Sequence, residues 1–134
     1  MTITYEWRGD FDNTAVNALH AAGFNHQASN VDWLGQVHRH SLGWVCARHK
    51  GDLVGFVNVA WDGGVHAFIL DTVVAASYRH SGIGTGLVAE AARQARTAKC
   101  EWLHVDSTAP PTGSPSTTCG PPCSTVGRGD RNLA

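Results

Sequence analysis

The chain has 134 residues, 43% of them hydrophobic, enough for one domain with a real core and too few for two. Ten Lys and Arg residues against eleven Asp and Glu leave a formal net charge of −1, and the cations are scattered along the chain, which argues against a nucleic-acid partner. No basic region followed by an apolar stretch opens the sequence and no run of about 18 apolar residues occurs, so a cytoplasmic protein without a membrane partner is expected.

The pattern alternates between helix and strand periods. "ITYEW" (3–7) reads as a short strand. Asp10 or Asp12 can cap a helix carrying Val16, Leu19 and Ala22 at helical spacing, with Gly23 as its stop. A second helix over about 30–40 carries Val31, Leu34 and Val37 on one face. "GWVCARH" (43–49), the turn "KGD" and "LVGFVNVAW" (53–61) read as a hairpin, and "VHAFILDTVV" (65–74) follows as a third antiparallel strand. In "IGTGLVAEAARQARTA" (83–98), Ile83, Leu87, Ala91 and Ala95 form a helical stripe, and "WLHV" (102–105) returns as a strand. A strand, helix, strand crossover implies a parallel pair there. The fold class is therefore mixed α/β.

After Asp106 the composition changes. All five prolines lie between Pro110 and Pro122, and residues 107–134 hold no aromatic, with Val126 and Leu133 the only large aliphatics. Such a segment buries too little apolar surface to offset its ordering entropy, so residues 1–106 are expected to carry the fold and 107–134 to form a disordered tail. Cys46, Cys100, Cys119 and Cys123 lack CxxC spacing and are expected as reduced thiols.

The stretch "SYRHSGIGTGL" (77–87) joins the third antiparallel strand to the long helix. A helix N-terminus presents unpaired N–H groups and the positive end of its dipole. Glycines at 82, 84 and 86 keep side chains out of a phosphate's way, and Arg79 adds a fixed cation. A P-loop is excluded, since no lysine occurs between Gly51 and Ala98. A dinucleotide fingerprint is met at Gly82, Gly84 and Asp106, but Leu87 stands where its third glycine belongs, and seven residues separate the strand from Gly82.

"RHSGIG" (79–84) resembles the Arg/Gln-x-x-Gly-x-Gly/Ala signature of the GNAT superfamily of N-acetyltransferases, which use acetyl-CoA. The order of elements over about 2–106 is similar to that family's as well. The resemblance implies that backbone amides from Arg79 through His80, Ser81, Gly82, Ile83 and Gly84 receive the CoA pyrophosphate, with the Thr85 hydroxyl adding to them. It further implies that Asp71, Thr72, Val73 and Val74 align with the pantetheine arm, beside a cleft left where this strand splays from 102–105.

Direct transfer of acetyl to an amine needs a deprotonated amine, a polarised carbonyl and a proton for the leaving thiolate. Asp71 is the carboxylate placed by the resemblance to steer or deprotonate the amine; a strand-end aspartate bonding nearby backbone is the other reading. Asp62 and His66 bracket the preceding turn as weaker candidates, and His80 is either a phosphate contact or a solvated side chain. His38 and His40 diverge on a helix and form no metal site. The tryptophans belong mostly to the core, with Trp33 also placed to line an acceptor pocket.

A GNAT domain ordinarily continues after the strand matching 102–105 with a helix bearing a Phe-Tyr pair and then two further strands, and the tyrosine of that helix often protonates the CoA thiolate. Only Tyr5 and Tyr78 are present here, and the usual acid has no counterpart. The tail has the composition of a GC-rich gene read out of frame: "SPSTTCG" can be back-translated so that an adjacent frame encodes Pro-Phe-Tyr-Asp-Val-Arg. Loss of those elements would leave 102–105 an exposed edge, from which self-association as a homodimer is expected. The reading is an acetyl-CoA-dependent N-acetyltransferase acting on a small-molecule or peptide amine. A CoA-binding remnant or an interaction domain is the alternative, and a dinucleotide-binding oxidoreductase a distant one.

Overall fold

The computed structural model describes residues 2–105. The expectations for the tail, for Cys119 and Cys123, and for Asp106 as part of a dinucleotide fingerprint all fall outside that range. Five strands, β1 (Thr4–Trp7), β2 (Ser41–His49), β3 (Asp52–Trp61), β4 (His66–Val74) and β5 (Trp102–Val105), form one sheet in sequence order. The first four are antiparallel. β5 joins β4 in parallel after the crossover through α3 (Ile83–Thr97), as the strand, helix, strand pattern requires. Helices α1 (Asn13–Phe24) and α2 (Trp33–His40) precede β2.

The period-2 alternation of the strands divides the sheet into two faces. Val45, Ala47, Val57, Val59, Ala67 and Ile69 pack on the Ile83, Leu87, Ala91 and Ala95 stripe of α3, all at most 2% exposed. Trp44, Cys46, Phe56 and Val73 point the other way, against Val16 and Leu19 of α1 and Trp33 and Val37 of α2. Each large side chain so buried contributes about 1.5–3 kcal/mol. The hydroxyl and ring of Tyr5 on β1 complete the α3 layer by lying against Gly86, where an added Cβ would fall 2.3 Å from the Tyr5 oxygen.

Three local expectations are corrected. Gly23 does not stop α1, which runs one residue further and ends at Asn25, whose left-handed φ of 56° turns the chain back. Gly23 instead lets α1 close on β4: a Cβ there would stand 2.2 Å from Cγ2 of Val73. Val31 precedes α2 and is 36% exposed, because Asp32 caps the helix by accepting from Gly35 N at 3.1 Å and so sets its start. The buried face of α2 is then Trp33 and Val37, spaced four apart. Trp33 is 5% exposed and donates Nε1 to Oδ1 of Asn17 at 3.0 Å, which makes it a core residue rather than a pocket wall. Asn17 also donates to the carbonyl of Val31 at 3.0 Å and accepts from its N–H at 3.3 Å, fixing the loop between the helices.

Gly86→Ala is expected to destabilise the domain by about 1–3 kcal/mol through overpacking against Tyr5. The same substitution in a Tyr5→Ala background should cost clearly less, and a double-mutant cycle by urea unfolding measures the difference.

Candidate functional site

The ladder between β3 and β4 is regular except at one place. Phe56 pairs with Val73 and Asn58 with Leu70, which leaves Val57 alone opposite both Asp71 and Thr72. This is a β-bulge on β4, and its first residue, Asp71, takes a left-handed φ of 57°. Aspartate tolerates that conformation better than a β-branched neighbour would. The bulge turns the Asp71 side chain onto the face that carries α1.

There its carboxylate meets two side chains. Oδ1 lies 3.1 Å from Nε2 of His20 on α1, and Oδ2 accepts from Nδ2 of Asn58 at 3.4 Å. The Asn58 side chain is oriented from behind by Ser41, whose Oγ donates to its Oδ1 at 2.5 Å. His20 continues outward: its Nδ1 is 2.8 Å from Nε2 of His26, whose Nδ1 is 2.6 Å from the Gln27 carbonyl. The Asp71 side chain is 24% exposed and that of His20 21%, and His26 is exposed. Asp71 thus bonds side chains on two other elements; it is neither at a strand end nor tied to local backbone.

His20, His26, Asn58 and Ser41 were not among the residues that the sequence singled out. Two signals pointed to them: Asn58 interrupts the apolar run "LVGFVNVAW", and His20 follows Val16 by four residues on the buried face of α1. A cleft of about 520 Å³ opens beside this group, floored by Ser41, Asn58, Ala60 and Leu70 and walled in part by Asp32 and Arg39. A hydrogen bond from Asn13 and another from the Gly35 N–H hold the Asp32 carboxyl below its ordinary value. The Arg39 guanidinium adds a weaker electrostatic pull on Asp32 in the same direction.

On its other side β4 is paired with β5 over His66 to Ile69, as far as the described residues reach. The pairing with β5 ends at Ile69 opposite Val105, so the main chain from Leu70 to Val74 has no strand beyond it among the described residues. β4 then runs through a single 3₁₀ turn, Ala76–Tyr78, into the glycine-rich loop. His80 (φ 66°) and Gly82 (φ 86°) are both left-handed, and Ser81 between them donates its hydroxyl to the Tyr78 carbonyl. Gly82 is the N-cap of α3 with no side-chain cap, and the first bond back to it comes from Gly86 N at 3.0 Å. The N–H groups of Ile83, Gly84 and Thr85 are therefore outside the helix ladder.

An added Cβ would meet nothing within 4 Å at Gly82 and only Cγ2 of Val74, at 3.9 Å, at Gly84. Those two positions leave bare backbone facing outward. Gly86 does not, since it serves the Tyr5 contact, which corrects its assignment to the phosphate surface. Ile83 offers only its main chain, its side chain being 1% exposed in the core. Arg79 Nε donates to the Val74 carbonyl at 3.3 Å, and this ties the loop back to the end of β4.

The weaker candidates separate from this site. Asp62 accepts from the N–H groups of Gly64 at 2.7 Å and His66 at 3.2 Å, a turn-forming carboxylate held below its ordinary value first by the Gly64 bond. His66, at the far end of β4, sits 2.8 Å from His104 through ring nitrogens. His38 is bonded to the Leu34 carbonyl. No group of three or more His, Cys, Asp or Glu residues among those described converges on a metal position, and no helix there is long and apolar enough to cross a membrane. Cys46 and Cys100 are free, and burial pushes the Cys46 thiol up to about 12.

A five-stranded mixed sheet whose bulged fourth strand is joined to a parallel fifth through an uncapped helix defines the acyltransferase class of fold. The family described as "Acetyltransferase (GNAT) family" matches residues 4–112, and the chain belongs to it. Comparison with curated protein sequences gives no match. Among solved structures, a GNAT family acetyltransferase of Streptococcus pneumoniae is 24% identical with a TM-score of 0.65, over 81% of this chain and 78% of that one. The ribosomal-protein-S18-alanine N-acetyltransferase of Escherichia coli is 14% identical with a TM-score of 0.71, over 86% and 70%. The E. coli protein YhbS, solved in complex with CoA, is 15% identical with a TM-score of 0.65, over 78% of this chain and 62% of that one. At these identities the likeness is one of fold. Family membership and fold together support an acetyl-transfer function.

Two outcomes are expected. Iodoacetamide at pH 8 should leave Cys46 unmodified in the native protein and modify it in urea, as read by peptide mass mapping. The depressed Asp62 carboxyl contributes stability that is present above about pH 4 and is lost as pH falls through its lower folded value. Asp62→Asn keeps an acceptor oxygen but not the proton linkage, so urea unfolding followed from about pH 7 down to about pH 2 should show a shallower acid loss for the variant.

Proposed function

We propose that this protein transfers the acetyl group of acetyl-CoA to a primary amine that enters through the cleft beside Asn58 and Leu70. One observation supports the reading: the main chain Leu70–Val74, which has no strand beyond it among the described residues, runs from a carboxylate-bearing bulge directly toward an uncapped helix N-terminus. An anionic ligand with an extended amide arm suits that surface at both ends. Its pyrophosphate would meet N–H groups within the Arg79–Gly84 loop and the Thr85 hydroxyl, with His80 and Ser81 lining the approach, while its arm would pair with the main chain of Thr72, Val73 and Val74.

In this reading Asp71, next in sequence to Leu70 of the acceptor cleft and bonded to Asn58 of its lining, is the carboxylate nearest the thioester arm. Its carboxylate attracts the ammonium form of the acceptor and takes a proton from it. The freed nitrogen attacks the thioester carbonyl carbon, the C–S bond breaks, and the nitrogen's surplus proton passes to the departing sulfur. Neither described tyrosine is free for that last task. Tyr5 is packed under α3, and the Tyr78 hydroxyl is 2.8 Å from Nδ1 of His49.

Calorimetric titration of the full chain with acetyl-CoA, with NAD as control, tests the reading. Binding of acetyl-CoA alone is expected, weakened at least about tenfold, or 1.4 kcal/mol, by Gly84→Trp. Acetyl-CoA-dependent thiol release with a primary amine should accompany it. Binding without thiol release from any amine would leave a CoA-binding domain without turnover; binding of neither ligand would overturn the proposal.

A further inference from the structure

Protons can be counted along the group that begins at Asp71. The Gln27 carbonyl can only accept, so Nδ1 of His26 carries a proton. If His26 is neutral, its Nε2 is a bare acceptor and Nδ1 of His20 must donate to it across their 2.8 Å contact. A neutral His20 would then present a lone pair from Nε2 to the Asp71 carboxylate at 3.1 Å, which repels. Moving the charge to His26 changes the order of donors but not their number. Two imidazoles held between two acceptors complete their three contacts only with three protons, one more than two neutral rings own.

We infer that His20 and His26 form a proton relay that carries the acceptor amine's proton from Asp71 to solvent. In the two-proton form the charge of Asp71, whose neighbour Leu70 and partner Asn58 line the cleft, is uncompensated. An arriving R–NH3⁺ gives one proton to that carboxylate, R–NH2 remains to attack the thioester, and the group becomes the neutral three-proton network. His26, exposed at the outer end, releases one proton to bulk water and restores the starting form. The net proton lost to water is the one the ammonium brought in.

The surroundings suit the task. His20 is flanked by the rings of Phe24 at 4.5 Å and Trp33 at 5.1 Å, which hold it between Asp71 and His26 without offering another hydrogen-bond partner. From β4 the facing group is Asp71, itself bonded to uncharged Asn58, and from the segment after α1 it is His26. On the α1 side, a guanidinium nitrogen of Arg79 lies 4.0 Å from where a Cβ at Gly23 would stand. His20 and His26 act through Asp71 and are positioning residues rather than catalytic ones.

This inference rests on the acetyl-transfer reading for its purpose, and two measurements separate the failures. The first needs no substrate: ¹⁵N shifts of the histidine rings in the unliganded full chain, followed with pH. The expected result is three protons on the three-residue group at low pH, with a single proton leaving as pH rises, and a His20 signal that changes in Asp71→Asn. Two neutral rings beside an ionised Asp71 throughout that range would overturn the relay.

The second compares rates with acetyl-CoA and ethylamine, which is almost wholly ammonium at neutral pH, against 2,2,2-trifluoroethylamine, which is largely free base. His20→Gln and His26→Gln should each lower the ethylamine rate at least about tenfold relative to the trifluoroethylamine rate. Imidazole in the buffer should recover part of the loss in His20→Gly. Equal slowing of both amines would mean that the histidines only hold the structure, and would overturn the relay. His26 is exposed, so its variant tests the idea even where a His20 variant fails to fold. If wild type acetylates neither amine, the acetyl-transfer reading falls and takes the relay's purpose with it, while the ring shifts still decide the proton count.

Discussion

One extra residue in β4 organises the molecule's chemistry. Opposite Val57 the strand carries Asp71 and Thr72 where a regular ladder would hold a single residue, and the strand bends there. Before the bulge β4 is held on both sides, by β3 and by β5; after it, only β3 remains among the described residues. The same irregularity brings a carboxylate onto the face of α1. A regular strand would not, since its side chains keep a strict alternation.

Two glycines that touch no ligand keep the helices close enough for this to matter. Gly23 brings α1 to within van der Waals distance of Val73, two residues past Asp71, and so sets His20 over the bulge. Gly86 admits Tyr5 beneath α3 and locks the first turn of that helix to β1. The uncapped start of α3 is thus fixed from below by packing and left open above, as an anion-binding helix end must be.

Much of the scaffold was legible in the residues. The α3 stripe at four-residue spacing, the Gly/Asp turns of the meander and the crossover to β5 are local or near-local patterns, and each element lies within about three residues of where its period placed it. The site was legible only in part. A bulge is a mismatch between two strands and has no signature in either one alone. His20 and Asp71 are 51 residues apart, and nothing in a one-dimensional pattern joins them. Glycines at a helix start look alike in sequence whether they face outward, as Gly84 does, or a tyrosine ring, as Gly86 does. At α2 the apolar period admitted Val31, but the hydrogen bonds of Asp32 and Asn17 fixed the start of the helix after it.

The left-handed turn at Asn25 also has an electrostatic side. The N–H groups of Asn25 and His26 both close on the Ala21 carbonyl, so the chain doubles back across the C-terminal end of α1. The carbonyl oxygens left unpaired at that end carry the negative pole of the helix, a partial charge of roughly half an electron. The turn thereby brings the His26 ring to the His20 ring beside that end of the helix. A twelve-residue helix with no acidic side chain in its first turn and no basic one in its last has its field left for use at one end. Replacing α1 by a loop of the same course would lose that pole.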